Sequence, residues 1–480
     1  MDGAEFRRRG KEMIGYVADY LENIQERRVF PTVEPGYLHQ LIPDHAPQEG
    51  EKWEDLFKDI ERVIMPGVTH WNHPQFHAYF PSATSYPAIC ADILSDAIGC
   101  LGFTWASSPA CTELEVVMMD WLAKLLSLPE QFLSGGKGGG VIQGSAGEAT
   151  LVALLAARHK AVHDYRQTHP GVKDDEDVAV KLVAYCSDNA HVSAERAGLL
   201  GHVKIVKLPT DDNNSLRGDI LQEAINKDKA MGHIPCFVCA TLGTTNCCAF
   251  DNIKELGPIC EKEGVWMHID AAYAGSAFIC PEYRYLLDGV EHAMSFDFNP
   301  HKWLLVNFDC SAMWLKDSSY LIDAFNVDAE FLKTGRNGIK KTMPDFRHWQ
   351  LSFSRRFRSL KLWFVLRLYG VRALQENIRK HIALAREFEG LVVKDGRFEI
   401  VAEVIMGLVC FRMKGPNEPN KKLLELIIKD GRIHLVASKI RATYCIRFCV
   451  VANQTDSNDI KYAWSVIAEL ATRIINENRQ

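Results

Sequence analysis

Two short segments carry residues able to do chemistry together. Trp266-Met267-His268-Ile269-Asp270-Ala271-Ala272-Tyr273 ends an apolar run on a carboxylate, and Phe298-Asn299-Pro300-His301-Lys302-Trp303 sets one lysine among polar neighbours. A lysine amine condenses with an aldehyde to a Schiff base. A carboxylate can keep a pyridine nitrogen protonated, so that the ring withdraws electrons from a bond at the α-carbon of a bound amine. Lys302 and Asp270 therefore read as the two ends of a pyridoxal 5'-phosphate site. The small Ala271 and Ala272 leave room for a flat ring. The plain alternative for Asp270 is a solvated or helix-capping aspartate.

A third segment runs Gly138-Gly139-Gly140-Val141-Ile142-Gln143-Gly144-Ser145-Ala146-Gly147-Glu148-Ala149-Thr150, from a glycine loop into an Ala/Leu-rich helix. Free N–H groups and the dipole at a helix start favour phosphate. A glycine cluster alone is a weak sign; upstream of Lys302 it becomes a candidate phosphate cup. His191, in Ser187-Asp188-Asn189-Ala190-His191, is a candidate to stack on the ring and direct protons, although a lone histidine is more often a surface or core residue. His301 is placed to orient the lysine. Arg447 has apolar neighbours and would be costly unpaired; a salt bridge and a carboxylate-facing role both stay open. Trp71, Tyr79, Phe80, Leu101, Phe103 and Phe308 each read as core, yet come from segments where a pocket for a flat apolar ligand could form.

The elements that must position these residues follow from patterning. The chain has 480 residues, 47% hydrophobic and 24% charged, long enough for more than one domain. A net charge of -6 implies no nucleic-acid and no anionic-membrane partner. Fourteen scattered cysteines and an N-terminus without an apolar signal region fit reduced thiols in a cytoplasmic enzyme. No CxxC spacing points to a metal, and no apolar run spans a bilayer. Met13, Ile14, Val17, Leu21 and Ile24 form one helical stripe within residues 1–29, expected to pack on another surface such as a second subunit.

Short apolar runs at Lys181–Ser187, Cys236–Leu242, Val265–Asp270 and Cys310–Leu315 alternate with helical patterns. This predicts an α/β fold with a mostly parallel central sheet covered by helices on both faces, its functional residues at strand ends. A helix is expected over Leu360–Leu374, a polar surface loop over Asp164–Asp177, and a mobile loop over Leu332–Asp345. The expected division is a helical arm over 1–85, a large coenzyme-binding domain over 86–359 and a small α+β domain over 360–480.

Four motifs are highly specific: Met65-Pro66-Gly67-Val68-Thr69-His70-Trp71, Ser108-Pro109-Ala110-Cys111-Thr112-Glu113-Leu114-Glu115, Asn299-Pro300-His301-Lys302-Trp303 and Phe357-Arg358-Ser359-Leu360-Lys361. On these the chain resembles, over nearly its whole length, the group II pyridoxal phosphate decarboxylases. Among them it resembles the animal aromatic-L-amino-acid decarboxylases, in style closest to insect members. The resemblance implies the fold type I architecture and a homodimer with sites at the subunit interface. It implies that Lys302 holds the coenzyme, Asp270 pairs with the pyridine nitrogen and His191 lies over the ring. Thr245 and Ala272 would lie at the ring's other face and edge, and Ser145, Ala146, Gly147 and Asn299, beside His301, would form the phosphate cup. Trp71, Tyr79, Phe80, Pro81, Ser82, His191 and Phe308 would meet the substrate, with Leu101, Phe103, Phe353 and Ser354 reaching the neighbouring subunit's pocket.

The departures from the family pattern bear on the product. The family carries a catalytic tyrosine in an Asp-Pro-x-Tyr-Leu-Lys pattern; this chain reads Asp328-Ala329-Glu330-Phe331-Leu332-Lys333. Phe331 has no hydroxyl to protonate the carbon left after carbon dioxide departs, and an electron-rich carbon can instead meet dioxygen as a second substrate. The resemblance thus implies an arylacetaldehyde with ammonia and hydrogen peroxide, as in plant aldehyde synthases with the same exchange. Insect aldehyde synthases instead lose the stacking histidine, which is kept here. A simple decarboxylase releasing the amine is the main alternative; a histidine decarboxylase and a catalytically silent paralogue are weaker ones. Ser354 replaces a usual glycine, Phe353 is bulkier than the usual leucine, and both favour a phenyl or phenolic ring of the dopa, tyrosine or phenylalanine class over indole. Gly147 replaces a serine of the phosphate cup.

Overall fold

The computed structural model describes residues 1–326 and 343–477. Phe331 and residues 332–342 of the expected loop lie outside the described residues. The chain forms two compact units, one of residues 1–81, 383–401 and 407–480, the other of residues 82–382 and 402–406.

The larger unit is built on a seven-stranded sheet. Its strands are β1 (Gly139–Gln143), β2 (Leu182–Ser187), β3 (Lys204–Leu208), β4 (Ile234–Thr241), β5 (Trp266–Asp270), β6 (Ser295–Phe298) and β7 (Ser311–Leu315). They lie in the order β1-β7-β6-β5-β4-β2-β3. The pairs from β3 to β6 are parallel, whereas β7 is antiparallel to both β6 and β1. The sheet is thus mixed, with β7 alone reversed. The connection from β6 to β7 holds only the short helix Pro300–Trp303 and a loop, too little chain for a crossover that covers a sheet face. Helix Ala146–Thr168 packs on β1 and β4 to β7, while Gly218–Ala230 and Ile253–Glu263 pack on β3, β4 and β5. Every residue of β2, β5, β6 and β7 is buried, which explains the mostly apolar composition of β2, β5 and β7.

Three expectations are corrected here. The glycines at 139 and 140 open strand β1 and are not a loop; an added Cβ at Gly140 would sit 2.6 Å from Met119 and 2.7 Å from the Trp314 indole nitrogen, so close packing demands glycine. Residues 164–168 finish the helix Ala146–Thr168, and only the stretch beyond is loop before a short turn of helix at Glu176–Ala179. The helix expected to end at Leu374 runs Ser359–Lys394, with a non-helical Gly370 inside it. Strands β3 and β6 carry no distinct apolar run and leave no strand signal in the sequence; β3 is a half-exposed edge, and β6 alternates Ser, Phe, Asp, Phe.

The smaller unit holds an antiparallel sheet in the order β10-β11-β9-β8, made of β8 (Phe398–Ile400), β9 (Leu408–Met413), β10 (Val436–Ile440) and β11 (Thr443–Cys449). The helices Asn417–Asp430 and Ser457–Glu477 pack on one another, the first also against β9 and β11. Its N-terminal helix is Gly3–Glu22, N-capped by Asp2. The stripe divides: Ile24 is buried, Ile14 is 58% exposed, and the helix's buried residue is Arg9, ringed by Glu5, Glu12 and Glu54.

Candidate active site

Strands β1, β2, β4, β5 and β6 point the same way, so their carboxyl ends share one edge of the sheet. Asp270 closes β5 there, 4% exposed, its Oδ1 accepting the Ala272 N–H at 3.0 Å. Ala272 in turn accepts the Asn299 N–H at 3.0 Å, which ties the residue after β6 to the turn after β5. Lys302 follows one helical turn later, half-buried, its N–H bonded to the Asn299 carbonyl at 2.9 Å. The next residue anchors that turn: Trp303 stacks on Tyr273 with ring centres 4.7 Å apart and donates its indole N–H to His381 Nδ1 at 2.9 Å. His301 accepts the Cys310 N–H at 2.9 Å on Nδ1, and burial, then Lys302, lowers its pKa to about 4, which keeps the ring a neutral acceptor.

At the end of β1 the chain turns through Gly144 into the helix Ala146–Thr168. Ser145 is the N-cap, its Oγ accepting the Glu148 N–H, while Glu148 reaches back to the Gly144 N–H at 3.0 Å. This double cap leaves the N–H groups of Ser145, Ala146 and Gly147 without an acceptor among the described residues. Near the end of β6, Asn299 Oδ1 is buried and receives no hydrogen bond from the described residues. A phosphorylated pyridine suits this edge: three N–H groups at the helix start for the phosphate, a buried carboxylate for a ring nitrogen, an amine for an aldehyde. A Cβ at Gly147 would meet nothing nearer than Ser193 Cβ at 3.5 Å, so glycine there reflects no steric demand.

His191 is the N-cap of helix Val192–Gly201. Its Nδ1 accepts the Ser193 N–H at 3.2 Å and lies 2.9 Å from Ser193 Oγ, leaving the proton on Nε2. Partial desolvation lowers its pKa, opposed by Asp270 and reinforced by Lys302, the two groups whose fields it feels most. Lys302, Asp270 and His191 are therefore brought together. Thr245 sits half-buried in the loop after β4.

Of the expected substrate contacts, Ser82, Leu101, Phe103, Phe308, Phe353 and Ser354 belong to the larger unit. Phe308 packs edge-on against His301 at 4.9 Å and is 64% exposed. Leu101–Phe103 runs beside Phe353–Arg355, with Gly102 N–H donating to the Arg355 carbonyl at 3.2 Å, and Leu101, Phe353 and Ser354 are exposed. Trp71, Tyr79, Phe80 and Pro81 belong to the smaller unit. There Trp71 stacks on Tyr79 at 5.2 Å, and Arg447, buried, lies over the Phe80 ring and donates to the Tyr79 carbonyl at 3.3 Å.

Sequence reading missed the supports of this site. Glu115 and Arg355 clamp β1 just before the phosphate turn, Asp309 pairs with Arg358 at 2.7 Å, and Asp297 lies beside Asp270. Only Asp297 carried a local signal, a lone acid between two phenylalanines before Asn299.

The family described as Pyridoxal-dependent decarboxylase conserved domain matches residues 35–414. The chain belongs to this family. This decarboxylase is 59% identical over 482 residues to the Aromatic-L-amino-acid decarboxylase of Mus musculus, covering 100% of both chains. Its fold superposes on the tryptophan decarboxylase of Catharanthus roseus, crystallised with L-tryptophan, with a TM-score of 0.92 and 39% identity. The 4-hydroxyphenylacetaldehyde synthase of Rhodiola rosea gives a TM-score of 0.91 at 38% identity. Each structural comparison covers 99% of both chains. The enzyme is a pyridoxal phosphate-dependent carboxy-lyase with an α/β fold, and its coenzyme is pyridoxal 5'-phosphate. Among the described residues no helix is long and apolar enough to cross a membrane.

Proposed function

We propose that the enzyme removes the carboxylate of an aromatic L-amino acid of the dopa, tyrosine or phenylalanine class and releases an arylacetaldehyde. The balance is one amino acid, one dioxygen and one water giving one aldehyde, one carbon dioxide, one ammonia and one hydrogen peroxide. Full-length identity to a protein named for aromatic L-amino acids supports the substrate class. The bulk of Phe353 and the hydroxyl of Ser354 support a phenyl or phenolic ring over an indole.

The bound coenzyme supplies an electron-withdrawing ring that stabilises negative charge at the substrate's α-carbon. Lys302 provides the amine that attaches it, and Asp270 holds a proton at the ring nitrogen. The Ser145–Gly147 turn and Asn299 hold the phosphate. His191, its Nδ1 fixed by Ser193, offers an Nε2–H above the ring and stays neutral near pH 7 because its pKa is lowered.

The observation that carries the aldehyde product is Phe331. A phenyl ring has no proton to deliver to the α-carbon, so reaction with dioxygen has time to compete. A second reading, amine release, rests on His191: its Nε2–H, or water, can supply that proton. Product analysis on dopa, tyrosine, phenylalanine, histidine and tryptophan with oxygen uptake followed in parallel separates the two. Peroxide and ammonia equal to the carbon dioxide released support the aldehyde, and Phe331→Tyr should then raise the amine share at least about tenfold. Amine without oxygen uptake refutes it.

Assembly as a homodimer is part of the same reading. The helix Tyr86–Ile98 leaves Ile93, Leu94 and Ile98 each more than 40% exposed, next in sequence to the exposed Leu101. So much apolar surface suits a second copy of the chain. Fourteen free thiols suit the reducing cytoplasm.

A further inference from the structure

Behind Asp270 lies a second carboxyl group that the reaction as described does not use. Asp297 is fully buried on β6, in parallel register with Asp270 on β5. Register partners on adjacent strands face the same side of a sheet, with Cβ atoms about 5 Å apart. His268, two residues before Asp270, shares that side and is also fully buried. A directed chain reaches it. Trp266 Nε1 donates to Ser295 Oγ at 2.8 Å, and that hydroxyl is 2.8 Å from His268 Nδ1. In the tautomer in which the serine hydroxyl donates to Nδ1, His268 carries its own proton on Nε2, 3.1 Å from Asp297 Oδ1. Among the described residues neither Asp297 oxygen receives a well-aligned hydrogen bond.

We infer that Asp297, held by His268, is a positioning residue that sets the charge beneath Asp270 and so the enzyme's grip on the coenzyme's ring nitrogen. Two neighbouring buried carboxyl groups do not both ionise freely, and one retains a proton. Burial, then Asp270, pushes the Asp297 pKa up to about 7, while His268 and Lys302 pull it down. The remaining titratable neighbour, Cys239 on β4, stays a neutral thiol because burial and then Asp270 raise its pKa. Below about pH 7 Asp297 therefore holds its proton, and above it the side chain is ionised. When Asp297 loses its proton, a second charge adds to the field at that nitrogen. The inference rests on Asp270 facing the ring.

Equilibrium dialysis of the holoenzyme, with released pyridoxal 5'-phosphate read by fluorescence from about pH 5.5 to about pH 8.5, tests it. The wild-type affinity should rise on the order of tenfold through the Asp297 titration. Asp297→Asn should lose that step. His268→Gln should move it to higher pH, because His268 favours the ionised carboxylate. Asp270→Asn should weaken binding at every pH; if it does not, the reading of Asp270 fails. If Asp270→Asn weakens binding and the curves of Asp297→Asn and His268→Gln superpose on the wild type, the inference is overturned. Should Asp297→Asn not fold, the His268→Gln curve decides by itself.

Discussion

Glu115 and Arg355 form an ion pair inside the larger unit, Oε1 to Nη2 at 2.5 Å, with both side chains 1% exposed. Both grip the same strand residue: Glu115 accepts the Ile142 N–H at 2.8 Å, and Arg355 donates to the Ile142 carbonyl at 3.2 Å. The Arg355 guanidinium also lies over the Phe346 ring and donates to Gln350 at 2.7 Å. Ile142 is two residues from the turn that opens the helix at Ser145, so this clamp sets where the phosphate cup begins.

Removing one partner leaves a buried, unpaired charge. Glu115→Ala should destabilise the protein by about 3–5 kcal/mol, read as a lower urea midpoint. Breaking the exposed pair Arg386–Glu389 should change stability by under about 1 kcal/mol. Equal effects from the two would contradict the clamp.

Gly275 packs against the end of β6. A Cβ there would fall 2.3 Å from Phe298 Cβ and 3.2 Å from Ala271 Cβ. Phe298 is buried and precedes Asn299, so Gly275→Ala should cost about 1–3 kcal/mol and weaken coenzyme binding as well. Gly15→Ala, on the helix Gly3–Glu22 with nothing within 4 Å, should be neutral or slightly stabilising. Thermal melts and coenzyme titration of the two variants check both statements.

Buried histidines make the fold acid-sensitive. Burial lowers His77 and His381 from 6.5 to about 3. A group whose folded pKa is depressed gives stability that is complete above its unfolded value, here 6.5, and is lost as the pH falls toward 3. Each contributes on the order of 5 kcal/mol. Asp251 and Asp297, raised from 3.8 to about 7, act with the opposite sign, their stability lost as the pH rises through that range. A comparison of variants separates the two: His77→Asn should flatten the fall in urea midpoint below about pH 6.5 relative to wild type. An unchanged slope would refute the assignment.

Borohydride reduction of the holoenzyme should fix the coenzyme to the peptide holding Lys302, and Lys302→Ala should carry no label. Label on any other lysine of the wild type would displace Lys302 from its role.

Much of this was legible in one dimension. The lysine segment, the strand ending in Asp270 and the turn into the Ala146 helix are contiguous motifs, and four apolar runs marked four central strands. Their identities follow from local chemistry: a carboxylate after a buried run, a lysine in a polar turn, small residues at a helix start. β2, β5 and β7 are buried on both faces and mostly apolar, so their patterns survive in the chain itself, whereas the equally buried β6 carries Ser295 and Asp297 and shows no such run. What tertiary structure decided is everything that depends on register or on distant partners. Gly140 belongs to a strand because Met119 and Trp314 leave no room for a side chain. Glu115 meets Arg355 across 240 positions, and Asp297 faces Asp270 only because β5 and β6 pair as they do. Side-chain periodicity records which face is buried, but the neighbour on that face is set by strand order, and strand order is a property of the folded sheet.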